Sequence, residues 1–268
     1  MEALKYLKLL YSGENATKRH ITLFSIIGLI VLMWNNVISA FGNNLIYPFI
    51  TTVEITNVEL FLELFFGVCL LFLLFGYEYV FIHKVMNENT TELPELESDS
   101  YSVFFKMLPI FILWQFYYTV VSVVGGGVLA VIKNSVASYI FSSVMLCLTP
   151  FVFMVFINYA YDFKVRKEIF FPWTIIKYLN KSMMDVIKFF IEFCIVAALP
   201  VFALIGFFDW FFSIKDPTQK LCATLICLCV ASYVFVIFKY VFSLGLAKIV
   251  KEKFINSSGK EFDNFNQE

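Results

Sequence analysis

The sequence predicts an all-α integral membrane protein, with six transmembrane helices arranged as three hairpins and with both termini in the cytoplasm. Three observations predict this class. The 268 residues are 60% hydrophobic and only 15% charged, whereas soluble domains carry about 25% charged residues. Six separate runs are apolar over a length that can cross a bilayer. Basic residues are concentrated in alternate connections between those runs, as the positive-inside rule requires.

Each apolar run is predicted to be a helix, because a backbone in lipid must satisfy its own hydrogen bonds and no strand-like alternation competes. The first run is the weakest, since Asn35 and Asn36 follow its last strongly apolar residue, Trp34. The length of this run also fits the apolar core of a signal peptide. The segment before it, however, is long and mixed in composition, which favours a transmembrane span. The predicted spans are residues 21–40, 60–82, 108–131, 136–158, 187–208 and 221–244.

The distribution of lysine and arginine predicts the orientation. The N-terminal segment, the connections after the second and fourth spans, and the C-terminal tail hold most of them. The connection 41–59 holds none, and the two other connections on that side hold only Lys133, Lys215 and Lys220. Both termini are therefore predicted to be cytoplasmic.

The chain is predicted to form one six-helix domain over residues 1–250, followed by a polar, disordered tail over residues 251–268. Two short amphipathic helices are predicted to lie on the membrane surface. The first, Ala3 to Tyr11, would turn Leu4, Leu7 and Tyr11 towards lipid, and the second runs from Pro172 to Met184.

Tyrosines recur near the ends of the second, fourth and sixth spans, at Tyr79, Tyr161 and Tyr240. The similarity fits a threefold repeat of hairpins. It equally fits the ordinary enrichment of tyrosine at membrane interfaces, where one end of the ring is apolar and the other is wet. The interfacial interpretation is preferred, and Tyr77, Glu78 and Tyr79 are accordingly expected at headgroup level.

Polar residues inside the spans give the candidate site, since such residues are costly in lipid. Gln115, Thr119, Ser122 and Gly126 share one face of the third span. That face suits either close helix packing or the lining of a substrate path. Asn35 of the first span could bond across to it. The candidate path therefore comprises Gln115, Thr119, Ser122, Asn35 and, in the fifth span, Glu192.

Glu192 lies well inside the fifth span and shares a helix face with Asp185 and Lys188. A local ion-paired ladder explains the three residues, and a proton or cation relay through Glu192 is the functional alternative. Glu63 and Glu78, near the two ends of the second span, are expected to be exposed at the interfaces.

No enzyme signature occurs: there is no phosphate-binding loop, no nucleophile elbow and no zinc-protease motif. The chain is therefore predicted not to be an enzyme, and no catalytic, cofactor-binding or metal residues are assigned. The six cysteines all lie in apolar runs and are expected to be buried free thiols. A net charge of −1 gives no reason to expect a nucleic-acid partner.

Gly76-Tyr77 near the end of the second span, followed by a polar stretch and then Leu93-Pro94-Glu95, resembles an uncharacterised family of bacterial and archaeal six-span membrane proteins. The short amphipathic helix before the first span is similar too. The sequence departs from that pattern at Leu96, where an aromatic residue is common, and at Glu78. The resemblance implies the six-span fold and a prokaryotic cytoplasmic membrane, and it brings no established activity.

Two hypotheses for the function follow. The first is a multi-pass membrane protein that binds or transports a small solute or lipid, alone or within a complex, through the path from Gln115 to Glu192. The alternative is a non-catalytic accessory protein that acts through helix packing and cytoplasmic loops. Its partners would be the lipid bilayer and either another membrane protein or a second copy of itself.

Overall fold

The computed structural model describes residues 1–13, 15–41, 57–88, 93–96, 99–132, 135–164 and 166–256. Within these residues the chain is helical and contains no strand. The helices are α1 Glu2–Leu10, α2 Ala16–Phe41, α3 Asn57–Glu88, α4 Asp99–Ile132, α5 Ser135–Asp162, α6 Thr174–Ser213 and α7 Pro217–Val250, with a 3₁₀ turn at Lys167–Phe170 and a π-helical turn at Lys251–Ile255.

The predicted all-α fold with six spans is confirmed, since α2 to α7 are each long and apolar enough to cross a membrane. They form the successive pairs α2–α3, α4–α5 and α6–α7. The second helix of the last pair, α7, begins with a capped N-terminus. Asp216 accepts a hydrogen bond from the backbone N–H of Gln219 at 2.8 Å, and Pro217 occupies the first helical position. Both are favoured signals for a helix start.

α6 differs from the expectation of a separate surface helix over Pro172 to Met184. Most of that segment is the beginning of the 40-residue α6, which continues into the fifth span without a break. Neither glycine nor proline occurs between Thr174 and Leu199, so the chain has no residue that would end a helix there. At about 1.5 Å per residue α6 is about 60 Å long, which exceeds the hydrocarbon thickness of about 30 Å.

α1 packs against α6 and α7, and it does so through a face next to the one predicted to meet lipid. Ala3, Tyr6 and Leu10 are buried, whereas Leu4 and Tyr11 are exposed. Leu4 and Tyr11 of the predicted apolar stripe therefore stay available to the bilayer, while Leu7 of that stripe and the adjacent buried residues pack against the bundle. Burial raises the pKa of Tyr6 from 10.0 to about 12.

The N-terminal end of α1 is tied to residues from the other end of the chain. Lys248 Nζ donates a hydrogen bond to Glu2 Oε1 at 2.6 Å. This bond and the accompanying ion pair hold the pKa of Glu2 below its usual value of 4.5. The backbone N–H of Glu2 donates to Glu192 Oε2, also at 2.6 Å. A carboxylate at a helix N-terminus is favourable, because the first N–H groups have no partner within the helix.

The C-terminal end of α1 is fastened by His20 of α2. Its Nε2 lies 2.9 Å from the carbonyl oxygen of Leu10, and its Nδ1 lies 2.7 Å from the hydroxyl of Tyr233. Tyr11 stacks on the His20 ring with centroids 4.1 Å apart. Gly13, with φ of 106°, forms the turn between α1 and α2 in a conformation that favours glycine.

The core lies at one end of the bundle, which we call the base: it holds α1, the first turns of α2, α4 and α6, and the last turns of α3, α5 and α7. One cluster of buried residues joins α3, α4, α5, α6 and α7 and includes Met86, Met107, Met154 and Leu246. A second joins α1, α2, α3, α6 and α7 and includes Phe81. The base therefore contacts every helix and fixes their arrangement.

The buried tyrosines correct the interfacial interpretation. Tyr77, Tyr79 and Tyr240 are 1–2% exposed, so they belong to the core of the base rather than to an aqueous interface. The hydroxyl of Tyr77 donates to the carbonyl oxygen of Pro94 at 2.7 Å, which satisfies its polar end without water. This bond also fixes the Leu93–Leu96 segment against α3.

The opposite half of the bundle is loosely packed. Large apolar side chains are exposed there on all four of α4, α5, α6 and α7, among them Val123, Leu146, Phe202 and Phe235. The six cysteines are free, as expected, but none is buried, and Cys147, Cys194 and Cys222 are exposed. In a bilayer, lipid covers such residues at no cost in free energy, because lipid chains are as apolar as the protein interior.

The C-terminal segment differs from the expectation of a disordered tail that begins at residue 251. Lys251–Ile255 continue α7 as a π-helical turn, and Lys251 Nζ donates to the carbonyl oxygen of Met86 at 2.6 Å. Residues 257–268 of the predicted tail lie outside the described residues.

Candidate functional site

A long groove separates α5 from α6 and α7, with a cavity volume of about 1300 Å³. Its walls are residues 136–153 of α5, 179–201 of α6 and 231–242 of α7. Exposed side chains line it along its length, among them Tyr139 and Leu146 from α5 and Phe235 from α7. It is therefore an open groove on the face of the bundle rather than an enclosed chamber.

The base keeps the three walls together at one end. Phe151 of α5 is 4% exposed, and Phe242 of α7 packs on Phe190 and Phe193 of α6 at centroid distances of 6.4 and 5.3 Å. Phe193 also packs on Phe238 of α7 at 5.9 Å, and the small side chains of Ala197 and Ala231 lie on the α6 and α7 walls. Phenylalanine side chains thus close the groove at the base.

The described residues that line the groove are almost all apolar, and Lys239 is the one charged residue among them. Lys239 lies near the base end of the α7 wall. Its Nζ is 2.5 Å from Oε2 of Glu78 on α3 and 5.2 Å from the centroid of the Phe75 ring. One wall of the groove therefore carries an ion pair set among aromatic rings.

The two partners differ sharply in exposure. The Glu78 side chain is 2% exposed and that of Lys239 is 28% exposed. Ser243 donates a hydrogen bond to Glu78 Oε1 at 2.9 Å. The Lys239 ammonium meets the other carboxylate oxygen, Oε2, at ion-pair distance. Glu78 is thus the buried counter-ion and Lys239 the group that faces the groove.

This pair corrects the expectation that Glu78 reaches water at a membrane interface. A signal for the pair is present in the sequence, because Glu78 and Lys239 are ionisable residues inside two predicted spans, and such residues usually pair with each other. The spans are far apart in the chain, however, so only the packing of α3 against α7 reveals the pairing.

Glu192 contacts α1 and does not belong to a polar path. Its carboxylate accepts the backbone N–H of Glu2, and it does not line the groove. The expected ladder with Asp185 and Lys188 is not formed, since Asp185 pairs instead with Lys253 at 3.0 Å.

The polar face of α4 lies on the outside of the bundle. Gln115 and Thr119 are exposed, Ser122 is partly exposed, and a Cβ added to Gly126 would have no atom within 4 Å. Thr119 donates to the carbonyl oxygen of Gln115 at 2.8 Å. The structure does not bring this face to Glu192 or to the groove. The side chain of Asn35, on α2, lies outside what the structure describes.

No cluster of three or more metal-ligating side chains forms among the residues that the structure describes. Comparison of the chain with family models, with curated proteins and with solved structures gives no match in any of the three. The resemblance carried by Gly76-Tyr77 and Leu93-Pro94-Glu95 therefore stays a prediction.

Proposed function

We propose that this multi-pass membrane protein binds a membrane lipid in the groove between α5, α6 and α7. The observation that carries the proposal is the groove itself, an apolar cleft in the spanning helices whose described lining includes a single charged residue. A solute path would need polar groups along its length, and the described lining provides very few.

The dimensions support a lipid as the occupant. The α6 wall, Leu179 to Val201, is about 33 Å long at 1.5 Å per residue, close to the hydrocarbon thickness of about 30 Å. The volume of about 1300 Å³ exceeds the roughly 300–1,000 Å³ of pockets that hold drug-sized ligands. Extended acyl chains lying along the helices fit both measures.

The proposal includes a non-catalytic role in a prokaryotic cytoplasmic membrane, with the base and both termini on the cytoplasmic side. The basic residues of the base support this orientation, because the positive-inside rule places lysine and arginine in the cytoplasm. They include Arg166, Lys248, Lys251 and Lys253.

The proposal is tested by placing a large side chain in the groove. Ala231→Trp places a large ring on the α7 wall, and Gly126→Trp is the matched control, because it adds the same ring to an open, spanning surface outside the groove. Native mass spectrometry of the purified protein would count the retained phospholipids. We expect Ala231→Trp to lose most of the lipid that wild type and Gly126→Trp keep. Equal lipid on all three proteins would refute the proposal.

The exposed polar face of α4 favours a second candidate function, that of an accessory protein which packs against another membrane helix. Gln115 and Thr119 lie on the outside of a spanning helix, where polar side chains gain from bonds to a neighbouring helix. In a background without native cysteines, a photoactivatable cross-linker attached to Thr119→Cys should capture a partner, whereas the same reagent on Val121→Cys, exposed on another face of α4, should not. Equal cross-linking of the two variants would remove this candidate.

A further inference from the structure

We propose that the groove selects an anionic phospholipid and that Lys239 binds its phosphate. This inference rests on the proposed function and adds the chemical class of the ligand. A lysine ammonium carries three N–H donors. Among the described residues its one anionic neighbour is Glu78, and its only other polar or aromatic contact is with the Phe75 ring. Donors therefore remain for a group that enters the groove.

The arrangement of the pair determines the sign of charge that a ligand meets. Glu78 is almost completely covered, and its other oxygen is occupied by Ser243. Lys239 is partly exposed and lines the groove. In a medium of low dielectric the nearer charge dominates the interaction, so the groove presents a positive group to an incoming headgroup although the pair is neutral. Phosphate oxygens are suitable acceptors, since lysine binds phosphate as a point charge.

The apolar residues that line the rest of the groove explain why the bound anion would carry acyl chains. A free phosphate would have to enter a cleft whose other described residues offer almost no polar contact, at a high cost in desolvation. An anchored phosphate brings its own apolar chains to cover Phe235, Val201 and Leu146. The volume of about 1300 Å³ favours a two-chain phospholipid over a single fatty acid.

The experiment offers the purified full-length protein an equal mixture of phosphatidylglycerol and phosphatidylcholine with identical acyl chains, and native mass spectrometry counts each. We expect wild type to favour phosphatidylglycerol by about tenfold, the effect of one charge-assisted hydrogen bond. Lys239→Met should abolish the preference and keep the total amount of lipid. Lys188→Met is the matched control: this α6 lysine is exposed and does not line the groove, and its loss should leave the preference unchanged.

Additional variants keep the test decisive if Lys239→Met folds poorly. The double variant Glu78→Gln/Lys239→Met leaves no buried charge uncompensated and should also lack the preference, whereas Glu78→Gln alone should retain or increase it. A wild-type preference that survives in the double variant would overturn the role of Lys239. Oleate that displaces phosphatidylglycerol at equal concentration would replace the phospholipid with a fatty acid and overturn the assignment.

The outcomes separate the inference from the function beneath it. Lipid bound in the groove without a headgroup preference refutes the inference and leaves the proposed function standing. Lipid that is unaffected by Ala231→Trp refutes the proposed function.

Discussion

Glu78 Oε2 on α3 lies 2.5 Å from Lys239 Nζ on α7, and this contact joins two spanning helices inside the bundle. Removing one member of a buried ion pair is costly because the other charge loses its compensation. Lys239→Met is therefore expected to lower the free energy of unfolding by about 3 kcal/mol, measured by denaturant unfolding in detergent micelles. Glu78→Gln/Lys239→Met should regain most of that loss. A double variant as unstable as the single one would show that charge is not the cause.

α3 and α4 approach each other closely at Gly76 and Ser100. A Cβ at Gly76 would overlap the carbonyl oxygen of Ser100, a backbone atom that cannot turn away. Gly76→Ala should therefore push the two helices apart and destabilise the protein by about 3 kcal/mol, the upper part of the range for overpacking. Gly126→Ala is the matched control because the added methyl group would meet no atom. Thermal unfolding should show a lower Tm for Gly76→Ala alone.

The hydrogen bonds around His20 define the tautomer of its neutral ring. The carbonyl oxygen of Leu10 can only accept, so Nε2 carries the proton; in the neutral ring Nδ1 then accepts, and the Tyr233 hydroxyl donates. Tyr233→Phe leaves Nδ1 without this partner and should weaken the docking of α1 by about 1–2 kcal/mol. Hydrogen exchange of residues 2–10 should accelerate accordingly. Tyr118→Phe, at an exposed position of α4, is the control and should leave the exchange unchanged.

The docking of α1 should weaken both at acidic pH and at alkaline pH. The pKa of Glu2 is lowered by its bond to Lys248, so that contribution is present above the usual value of 4.5 and is lost as the pH falls through the lowered value. Burial raises the pKa of Tyr6 from 10.0 to about 12, so its contribution is present below 10 and is lost as the pH rises towards 12.

Fluorescence anisotropy of a dye at Leu4→Cys, in a background without native cysteines, would follow this docking, since Leu4 is exposed. We expect high anisotropy between the two transitions. Glu2→Gln should reduce the acid transition and move the alkaline one to lower pH, because Glu2 helps to raise the pKa of Tyr6 and that of Lys248. An unchanged acid transition in Glu2→Gln would show that Glu2 is not the group responsible.

The orientation can be tested by labelling. In the same background, Asn44→Cys in the connection 41–59 should react with an impermeant maleimide added outside intact cells, whereas Lys164→Cys, in the connection after α5, should react only after lysis. The reason is the positive-inside rule, which places the lysine-rich connections in the cytoplasm. The reverse pattern would invert the proposed topology.

The spans could be predicted because length and apolarity are local properties of the chain. The ion pair of Glu78 with Lys239 and the cap that Glu192 provides for α1 could not, because each partner lies in a distant segment. The polar face from Gln115 to Gly126 is a second example of what sequence alone cannot predict. The spacing of its residues identifies one side of a helix, but only the packing of α4 decides whether that side meets protein or lipid.

The contacts of α1 have a consequence for the order of assembly during biosynthesis. Glu2 is bonded to Lys248 and Glu192, and the Tyr11 hydroxyl lies 3.2 Å from that of Tyr233. The docking site formed with His20 of α2 is therefore completed only by the last two spans. A chain made from its N-terminus exposes α1 to the translocon and the membrane surface while the other spans are still being inserted. α1 can thus complete its docking only after α7 is in place, and its docking reports that the six spans have been inserted.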